Sequence, residues 1–272
     1  MPAEEEDALT AALWEVGTAG TQWLGAEGAD VVLLAYFRDR PGLDVDLRRS
    51  VSALRVRVDP AEVPDVDWVA RVREGFRPST VGAFRIVPAW AATSPGADGP
   101  GLHPLLVEPG LAFGTGSHES TRLCLHILGE LSAAGPLGVV ADVGTGSGIL
   151  AVAAARLGAA RVVAVEVDAE ALPVAARHLQ LNAVPVHLVH GDGARALRAQ
   201  AFDLLLANIS AGLLVERAPE LAGTVRGGGR VVLSGLLEED VAAVRAAWEP
   251  FLHPLEVRTE ETWAALVGRT RR

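Results

Sequence analysis

Short apolar runs alternate with amphipathic segments along most of the second half of the chain. From about Thr115 onward, the apolar runs predict strands at 138–143, 161–166, 186–190, 202–208 and 230–235, and a strand-like segment at 261–270. Apolar positions three and four residues apart predict helices between them, at 117–131, 148–157, 169–182, 193–199, 211–222 and 237–248. Strands that alternate with helices predict a parallel, doubly wound α/β sheet with helices on both faces.

The first 110 residues do not show this regular alternation of predicted strands and helices. A helix is predicted at Glu5–Val16 and a shorter one at Asp44–Ala53, with strands in GTQWL, VVLLAYF and LRVRV, so residues 1–60 are expected to form a small α+β domain. In residues 61–110, DWVARVREGF is expected to be helical, FRIVPAW and HPLLVEPG to be strands, and ATSPGADGPG a flexible loop. We therefore predict a domain at 1–60, a linker and β-hairpin connector at 61–110, and a main domain at 111–272.

The amino-acid composition indicates in which cellular compartment the protein is expected. Half of the 272 residues are apolar, yet no uninterrupted apolar run reaches about 18 residues, so no membrane span is expected. The acidic start MPAEEEDALT argues against a signal or transit peptide. The single cysteine, Cys124, fits a reducing cytoplasm and is expected to be a small buried residue on a helix. We expect a cytoplasmic protein.

The net charge limits the classes of binding partner that are expected. The net charge of −10 disfavours a nucleic-acid surface, whose footprint would be basic, but it is compatible with a basic protein partner. The chain contains no lysine, and all 24 basic residues are arginine. A P-loop, which needs Gly-Lys-Ser/Thr, is thereby excluded.

The glycine turn that follows the strand at 138–143 selects among nucleotide-like ligands. It contains Gly144, Thr145, Gly146 and Gly148 in G-x-G-x-G spacing. Ile149 stands where the dinucleotide fingerprint has its third glycine. Asp142, just ahead of the turn, would repel a pyrophosphate but would suit a ligand that carries an ammonium and a sulfonium group. The turn therefore favours S-adenosylmethionine over NAD, and no metal site is expected.

Acids stand at the ends of the next two strands. Glu166, about 20 residues past the glycines, is expected to accept hydrogen bonds from both ribose hydroxyls. Asp168 is the neighbouring alternative, but it is also a natural N-cap for the helix that follows. Asp192 could accept a hydrogen bond from an adenine amino group, or it could serve only as a turn and helix cap.

Two further stretches carry candidate chemistry. EPGLAFGTGSHESTRLCLHIL contains Phe113, Thr115, Gly116 and His118 ahead of a helix, and the first three are expected to contact the cofactor. The alternative is a purely structural role, as a turn followed by a Ser/Thr-capped helix. In FDLLLANISAGLL, Asn208 falls at the end of the fourth sheet strand, facing the place where a methyl group would leave its donor.

EPGLAFGTGSHEST, DVGTGSGILAVAAARLGA and LLLANI together resemble the PrmA family of ribosomal protein methyltransferases. The resemblance covers roughly residues 60–270. It implies a Rossmann-like class I methyltransferase domain that uses S-adenosylmethionine, a flexible linker, and an N-terminal ferredoxin-like domain that docks the substrate. It also implies trimethylation of lysine side chains and of the N-terminal amine of large-subunit ribosomal protein eleven, which we expect to be free before ribosome assembly.

Three features depart from the family pattern. The loop begins with Glu108 rather than Asp or Asn, and a tryptophan usual in the connector helix is replaced near Val72. The chain also begins at the first helix, without the leading strand of a ferredoxin-like β-α-β-β-α-β order. A late start of the chain and a trimmed N-terminal domain are both compatible with this pattern.

Within this reading, Asn208 is expected to orient the acceptor amine, and His118 either accepts a proton or shapes the donor pocket. Asn208-Ile209-Ser210 replaces the Asn/Asp-Pro-Pro-aromatic pattern of enzymes that methylate DNA bases or glutamine amides, so those acceptors are disfavoured. Two alternatives remain open. One is a non-catalytic S-adenosylmethionine-binding module for ribosome assembly, and the other is a methyltransferase of another protein or of a small-molecule amine.

Overall fold

The computed structural model describes residues 9, 12–13, 16–18, 20–27, 30–38, 40–52, 54, 56–61, 77–91, 101–108, 116 and 118–271. It divides the chain into two compact units, Met1–Val66 and Asp67–Arg272. The helix predicted at 67–76, the loop predicted at 92–100 and the position of Val72 lie outside the described residues, as does most of the segment Glu5–Val16.

The first unit contains an antiparallel hairpin and a short helix. Strand β1 spans Gly20–Glu27, β2 spans Asp30–Tyr36 and helix α1 spans Leu43–Ser50. A small apolar cluster is formed by Leu9, Leu13 and Val51. The strand predicted at LRVRV is wrong, because the described residues there have no ladder partner; Val56 and Val58 pack against the cluster instead.

A three-stranded sheet begins the second unit. Its strands are β3 (Ser79–Val81), β4 (Phe84–Pro88) and β5 (His103–Val107). β3 and β4 form an antiparallel hairpin, whereas β5 pairs parallel to β4. The predicted strands FRIVPAW and HPLLVEPG are therefore confirmed over Phe84–Pro88 and His103–Val107, whereas Ala89–Ala91 form a 3-10 helix. The two strands lie side by side.

The main sheet has seven strands. They are β6 (Val139–Val143), β7 (Arg161–Glu166), β8 (Val186–His190), β9 (Phe202–Asn208), β10 (Val225–Leu237), β11 (Leu252–Glu260) and β12 (Trp263–Thr270). The spatial order is β11-β12-β10-β9-β6-β7-β8. The five strands from β10 to β8 run parallel, as the alternating pattern predicted. Their carboxyl ends therefore share one edge, where ligands of such sheets bind.

Helices flank the main sheet: one precedes β6, one follows β10, and the others lie between the parallel strands. They are α2 (Glu119–Ala133), α3 (Ile149–Arg156), α4 (Leu172–Leu181), α5 (Ala211–Glu216), α6 (Ala218–Ala222) and α7 (Val241–Trp248). The helix predicted at 211–222 is broken in two, because Pro219 can stand only in the first turn of a helix. Among the described residues, no helix is long and apolar enough to cross a membrane.

The sheet is covered on both faces, which confirms the predicted class of fold. Val140 points into one apolar cluster with residues of α2 and α3, and its neighbour Ala141 points into the other, with residues of α5, α6 and α7. This alternation is the period of two that a strand imposes. Cys124 is fully buried on α2, as expected, and burial raises the pKa of its thiol to about 12.

One edge of the sheet differs from the sequence prediction. β12 runs antiparallel to both β10 and β11, and the apolar pattern did not reveal β11. Only two residues separate β11 from β12, so the chain can return solely as an antiparallel hairpin. β11 is also largely exposed, and it lacks the apolar run that marked the central strands.

Candidate functional site

The glycine turn joins the end of β6 to the start of α3. Gly144, Gly146 and Gly148 all have positive φ, which side chains rarely tolerate. At Gly144 a Cβ atom would also collide with the side chain of Ile209, which follows β9. The amides of Gly144 and Thr145 donate to the carbonyl of Val165 at 2.9 and 3.1 Å, so the turn is tied to β7.

Asp142 lies beneath this turn and is almost completely buried. The hydroxyl of Thr145 donates to Asp142 Oδ2 at 2.6 Å. Burial raises the pKa of the Asp142 carboxyl to about 6; the Thr145 hydrogen bond opposes this shift and the charge of Glu166 adds to it. A cation above this turn would favour the ionised form, so Asp142 is suited to a positively charged ligand.

Glu166 ends β7 and turns its carboxylate back toward the glycine turn. Its Oε2 accepts the N–H of Gly146 at 2.8 Å, and its Oε1 accepts those of Val167 at 2.8 Å and Asp168 at 2.9 Å. The side chain is 7% exposed. These bonds fix the carboxylate at the carboxyl edge of the sheet, one strand away from Asp142.

Asp168 does not cap the following helix, so that part of the prediction is wrong. The chain first makes a turn, α4 begins only at Leu172, and the N-cap residue is Ala171. Asp168 Oδ1 accepts the N–H of Glu170 at 2.8 Å within that turn. The acid therefore organises the turn beside Glu166 rather than the helix.

Asp192 follows β8 and is about half exposed. It occupies the N-cap position of a short 3-10 helix, Gly193–Ala196, but its side chain makes no capping hydrogen bond. Its Oδ2 atom instead lies 3.0 Å from Nη1 of Arg195 and 3.7 Å from Nη1 of Arg217. The alternative in which the Asp192 side chain caps the following helix is therefore wrong.

Asn208 is the last residue of β9, and the hydrogen-bonding capacity of its side-chain amide is only partly used by the described residues. Its Nδ2 donates a long 3.4 Å hydrogen bond to Thr121 Oγ1 on α2. Its Oδ1 is buried and has no hydrogen-bond partner among the described residues. A buried acceptor without a donor is costly, so this atom is a candidate for binding an N–H from outside the chain.

His118 is the N-cap of α2. Its Nδ1 accepts the N–H of Ser120 at 3.3 Å and lies 2.8 Å from the Ser120 hydroxyl. The expected Ser/Thr cap of this helix is thus wrong, because the side chain that caps α2 is that of His118. The ring also meets Trp263 of β12 at 4.4 Å between centroids.

The loop ahead of α2 is described only in part. Phe113 and Thr115 lie outside the described residues. Gly116 has φ +87°, and a Cβ atom there would collide with the side chain of Ile86 on β4 and approach Ile149 Cδ1 to 3.0 Å. Only glycine therefore fits between β4 and the first residue of α3.

Several residues that contact the candidate site were not predicted from the sequence. Trp263 touches His118, and Gly235 of β10 leaves room for Asn208, since a Cβ atom there would stand 3.0 Å from Asn208 Oδ1. His178 binds the carbonyl of Ser147 inside the glycine turn. No local motif marks these residues, because each acts on a partner distant in sequence.

A doubly wound sheet, a G-x-G-x-G turn over a buried acid, and a second acid at the next strand end define the class of protein: a class I methyltransferase that uses S-adenosylmethionine. The family model described as "Ribosomal protein L11 methyltransferase (PrmA)" matches residues 4–271, and the chain belongs to that family.

Individual relatives agree with this assignment. The chain is 42% identical over 212 residues to a ribosomal protein L11 methyltransferase of Pelobacter propionicus, covering 76% of this chain and 68% of the relative. It is 36% identical over 258 residues to one of Cupriavidus pinatubonensis, covering 90% of this chain and 84% of the relative.

Solved structures agree as well. A crystal structure of a ribosomal protein L11 methylase from Lactobacillus delbrueckii subsp. bulgaricus superposes with a TM-score of 0.65 at 30% identity, covering 72% of this chain and all of that one. An O-methyltransferase from Thermotoga maritima shares the fold alone, with a TM-score of 0.50 at 15% identity, covering 56% of this chain and 65% of that one.

The residues present fit S-adenosylmethionine. Asp142 offers a buried carboxyl to a cationic group, and Glu166 presents a fixed carboxylate at the next strand end. Neither a lysine nor a P-loop is available to hold a phosphate. The family and the chemistry of these groups therefore assign the same cofactor.

Proposed function

We propose that this protein transfers methyl groups to lysine side chains and to the N-terminal amine of ribosomal protein L11. The acceptor is the free protein in the cytoplasm before ribosome assembly, and the reaction needs no contact with nucleic acid. The name of the family and of the relatives supports this substrate. The net charge of −10 is compatible with a basic protein partner.

The donor is held by groups at the carboxyl edge of the sheet. We assign Glu166 to the ribose hydroxyls, Asp142 to the positively charged end of the donor and Asp192 to the adenine amino group. Gly144, Gly146 and Gly148 allow close approach of the ligand to the backbone. Asp192 keeps half of its surface exposed, so it can exchange its arginine partners for a ligand.

The acceptor side of the reaction depends on positioning. S-adenosylmethionine, when bound, supplies an electrophilic methyl group. A lysine amine with a pKa near 10.4 is neutral in only about one molecule in 10³ at pH 7, so the site must favour the neutral form. Asn208 Oδ1 accepts an N–H of the amine and orients its lone pair, and His118 accepts the departing proton or shapes the pocket.

The buried Oδ1 of Asn208, which has no hydrogen-bond partner in the described part of the chain, carries this proposal. A non-catalytic donor-binding module has no need for an unsatisfied acceptor at the end of β9. The test is mass spectrometry of ribosomal protein L11 after incubation with donor and enzyme. We expect mass increments of 14 Da, up to three for each amino group, and their loss with Asn208→Ala. Unmodified protein after incubation with an enzyme that binds the donor would refute the substrate assignment.

We further propose that residues 1–60 dock the substrate. They contain no catalytic constellation, and their charge is −5, from six arginines and eleven acids. Docking raises the effective concentration of lysine at the site. A shortened chain that begins at Val63 should bind S-adenosylmethionine as before but should lose methylation of the intact ribosomal protein. The full-length rate should also fall with added salt.

A further inference from the structure

His178 on α4 is a buried histidine that the methyl-transfer chemistry does not use. It is 1% exposed. Its Nδ1 lies 2.7 Å from the carbonyl oxygen of Ser147 in the glycine turn. The backbone N–H of Glu108, directly after β5, donates to its Nε2 at 2.9 Å. Both ring nitrogens are therefore occupied by backbone groups that are far apart in sequence.

These two partners determine the state of the ring. A carbonyl oxygen can only accept a hydrogen bond, so the proton must be on Nδ1. A backbone amide can only donate, so Nε2 must be unprotonated. His178 is consequently neutral in one defined tautomer, and the amide of Glu108 selects the tautomer that can hold Ser147.

Ser147 lies within the glycine turn, directly before Gly148. Its carbonyl belongs to the same peptide plane as the N–H of Gly148, which closes the turn by donating to the Thr145 carbonyl at 2.8 Å. The Thr145 carbonyl in turn shares its peptide plane with the N–H of Gly146, which donates to Glu166 at 2.8 Å. A hydrogen bond to Ser147 O therefore fixes a peptide plane that is linked, through the Thr145 carbonyl, to the amide that holds Glu166.

Attachment of α4 to β5 does not depend on His178 alone. Asn182, one turn later, binds both the N–H and the carbonyl of Leu106, at 2.9 and 2.8 Å. Arg177 forms a forked ion pair with the carboxylate of Glu108, with an N–O distance of 3.0 Å. The contact that these neighbours do not duplicate is the one between His178 and the glycine turn.

We propose that His178 is a positioning residue of the donor site, which holds the glycine turn in its binding conformation through the Ser147 carbonyl. This role rests on the assignment of the turn to S-adenosylmethionine. It differs from a packing role because only one of the two ring hydrogen bonds should affect donor affinity.

Two substitutions separate the hydrogen bonds. In His178→Asn the side-chain NH₂ can replace Nδ1–H toward Ser147, whereas the acceptor for Glu108 is lost. In His178→Gln the longer side chain can place its oxygen near the position of Nε2, whereas the donor to Ser147 is lost. We expect calorimetric titration with S-adenosylmethionine to show Kd raised about tenfold in His178→Gln and within about twofold of the unaltered protein in His178→Asn. Equal Kd values for the two variants would overturn the proposal, whatever their melting temperatures.

A second measurement uses the unaltered full-length protein and covers the case in which a variant does not fold. Long-range ¹H–¹⁵N spectra should show His178 as the Nδ1–H tautomer, with an Nδ1 signal that moves when donor is added. An Nε2–H tautomer, or a signal indifferent to the donor, would overturn the role. Neither experiment contains an acceptor protein. A chain that binds donor but leaves the ribosomal protein unmethylated would therefore refute the proposed substrate alone.

Discussion

The imidazole of His118 and the indole of Trp263 meet edge to face, with ring centroids 4.4 Å apart and planes inclined by 72°. His118 caps the first helix of the main sheet, and Trp263 opens its last strand. A terminal antiparallel hairpin thus reaches back to the loop that precedes α2. The hairpin does more than close the sheet, because it fixes the ring of a candidate catalytic residue.

Removal of the indole should disturb that ring. Trp263→Ala should lower turnover about fivefold, because an aromatic pair contributes about 1 kcal/mol beyond its buried area. Trp263→Phe keeps an aromatic edge and should stay within about twofold of the unaltered enzyme. The measurement is the rate of methyl transfer at saturating donor. Equal rates for the two variants would show that the contact does not position His118.

Asn208→Ala should lower turnover by at least a hundredfold with little change in donor affinity, because the side chain is assigned to the acceptor. The free energy of unfolding should be unchanged or slightly higher, since the variant removes a buried acceptor that has no partner among the residues the structure describes. Asn182→Ala is the matched control. Its amide makes three short hydrogen bonds, so about 3 kcal/mol of stability should be lost. Urea unfolding of both variants checks the contrast.

Gly235→Ala should displace the side chain of Asn208. The new Cβ atom would lie 2.5 Å from the carbonyl oxygen of Ile209 and 3.0 Å from Asn208 Oδ1, so the end of β9 must shift. Gly158→Ala is the matched control, because its φ of +81° resembles the +83° of Gly235 but nothing lies within 4 Å. Both should lose about 1 kcal/mol of stability from the left-handed backbone. Only Gly235→Ala should reduce turnover, and equal turnover in the two variants would contradict the placement.

The buried carboxyl of Asp142 should make stability depend on pH. Its folded pKa of about 6 exceeds the ordinary 3.8, so the folded state binds more protons than the unfolded state between these values. The free energy of unfolding should fall as pH rises through this window, by on the order of 3 kcal/mol at 1.36 kcal/mol per pKa unit. Asp142→Asn should abolish this dependence. Thermal unfolding at pH 5 and pH 8 without donor should show about half of it, roughly 1.4 kcal/mol, in the unaltered protein and none of it in the variant.

The same carboxyl should make donor binding depend on pH in the opposite direction. The positively charged donor favours the ionised form, so affinity should rise as pH increases through about 6. Near pH 6 binding should release a proton, and the calorimetric enthalpy should vary with the ionisation enthalpy of the buffer. A Kd that is constant from pH 5 to pH 8 would count against Asp142 as the partner of a cation.

Glu166→Ala should weaken donor binding by about 1.5–3 kcal/mol, because a charged hydrogen bond is lost. It should also loosen the glycine turn, since the N–H of Gly146 loses its acceptor. Asp168→Ala is the comparison, and it loses only one exposed hydrogen bond to the amide of Glu170. Donor affinity after Asp168→Ala should stay within about threefold. A larger effect at Asp168 than at Glu166 would move the ribose assignment to Asp168.

The features that the sequence predicted correctly are local. Apolar runs marked the five parallel strands, because strands covered on both faces need apolar residues at nearly every position. The G-x-G-x-G spacing located a turn whose glycines all have positive φ. The acids at the ends of β6 and β7 could be brought together in advance, because the carboxyl ends of parallel strands share one edge.

Only the tertiary structure decided which distant side chains meet. The position of Asp168 suggested a helix cap, yet the chain turns first and α4 begins three residues later than a cap there requires. The pairing of His118 with Trp263 and the hydrogen bonds of His178 to Ser147 and Glu108 follow from how strands and helices cross. Periodicity and turn chemistry act over a few residues and are written in the local sequence. Contacts across the sheet depend on the packing of whole elements, so no short motif records them.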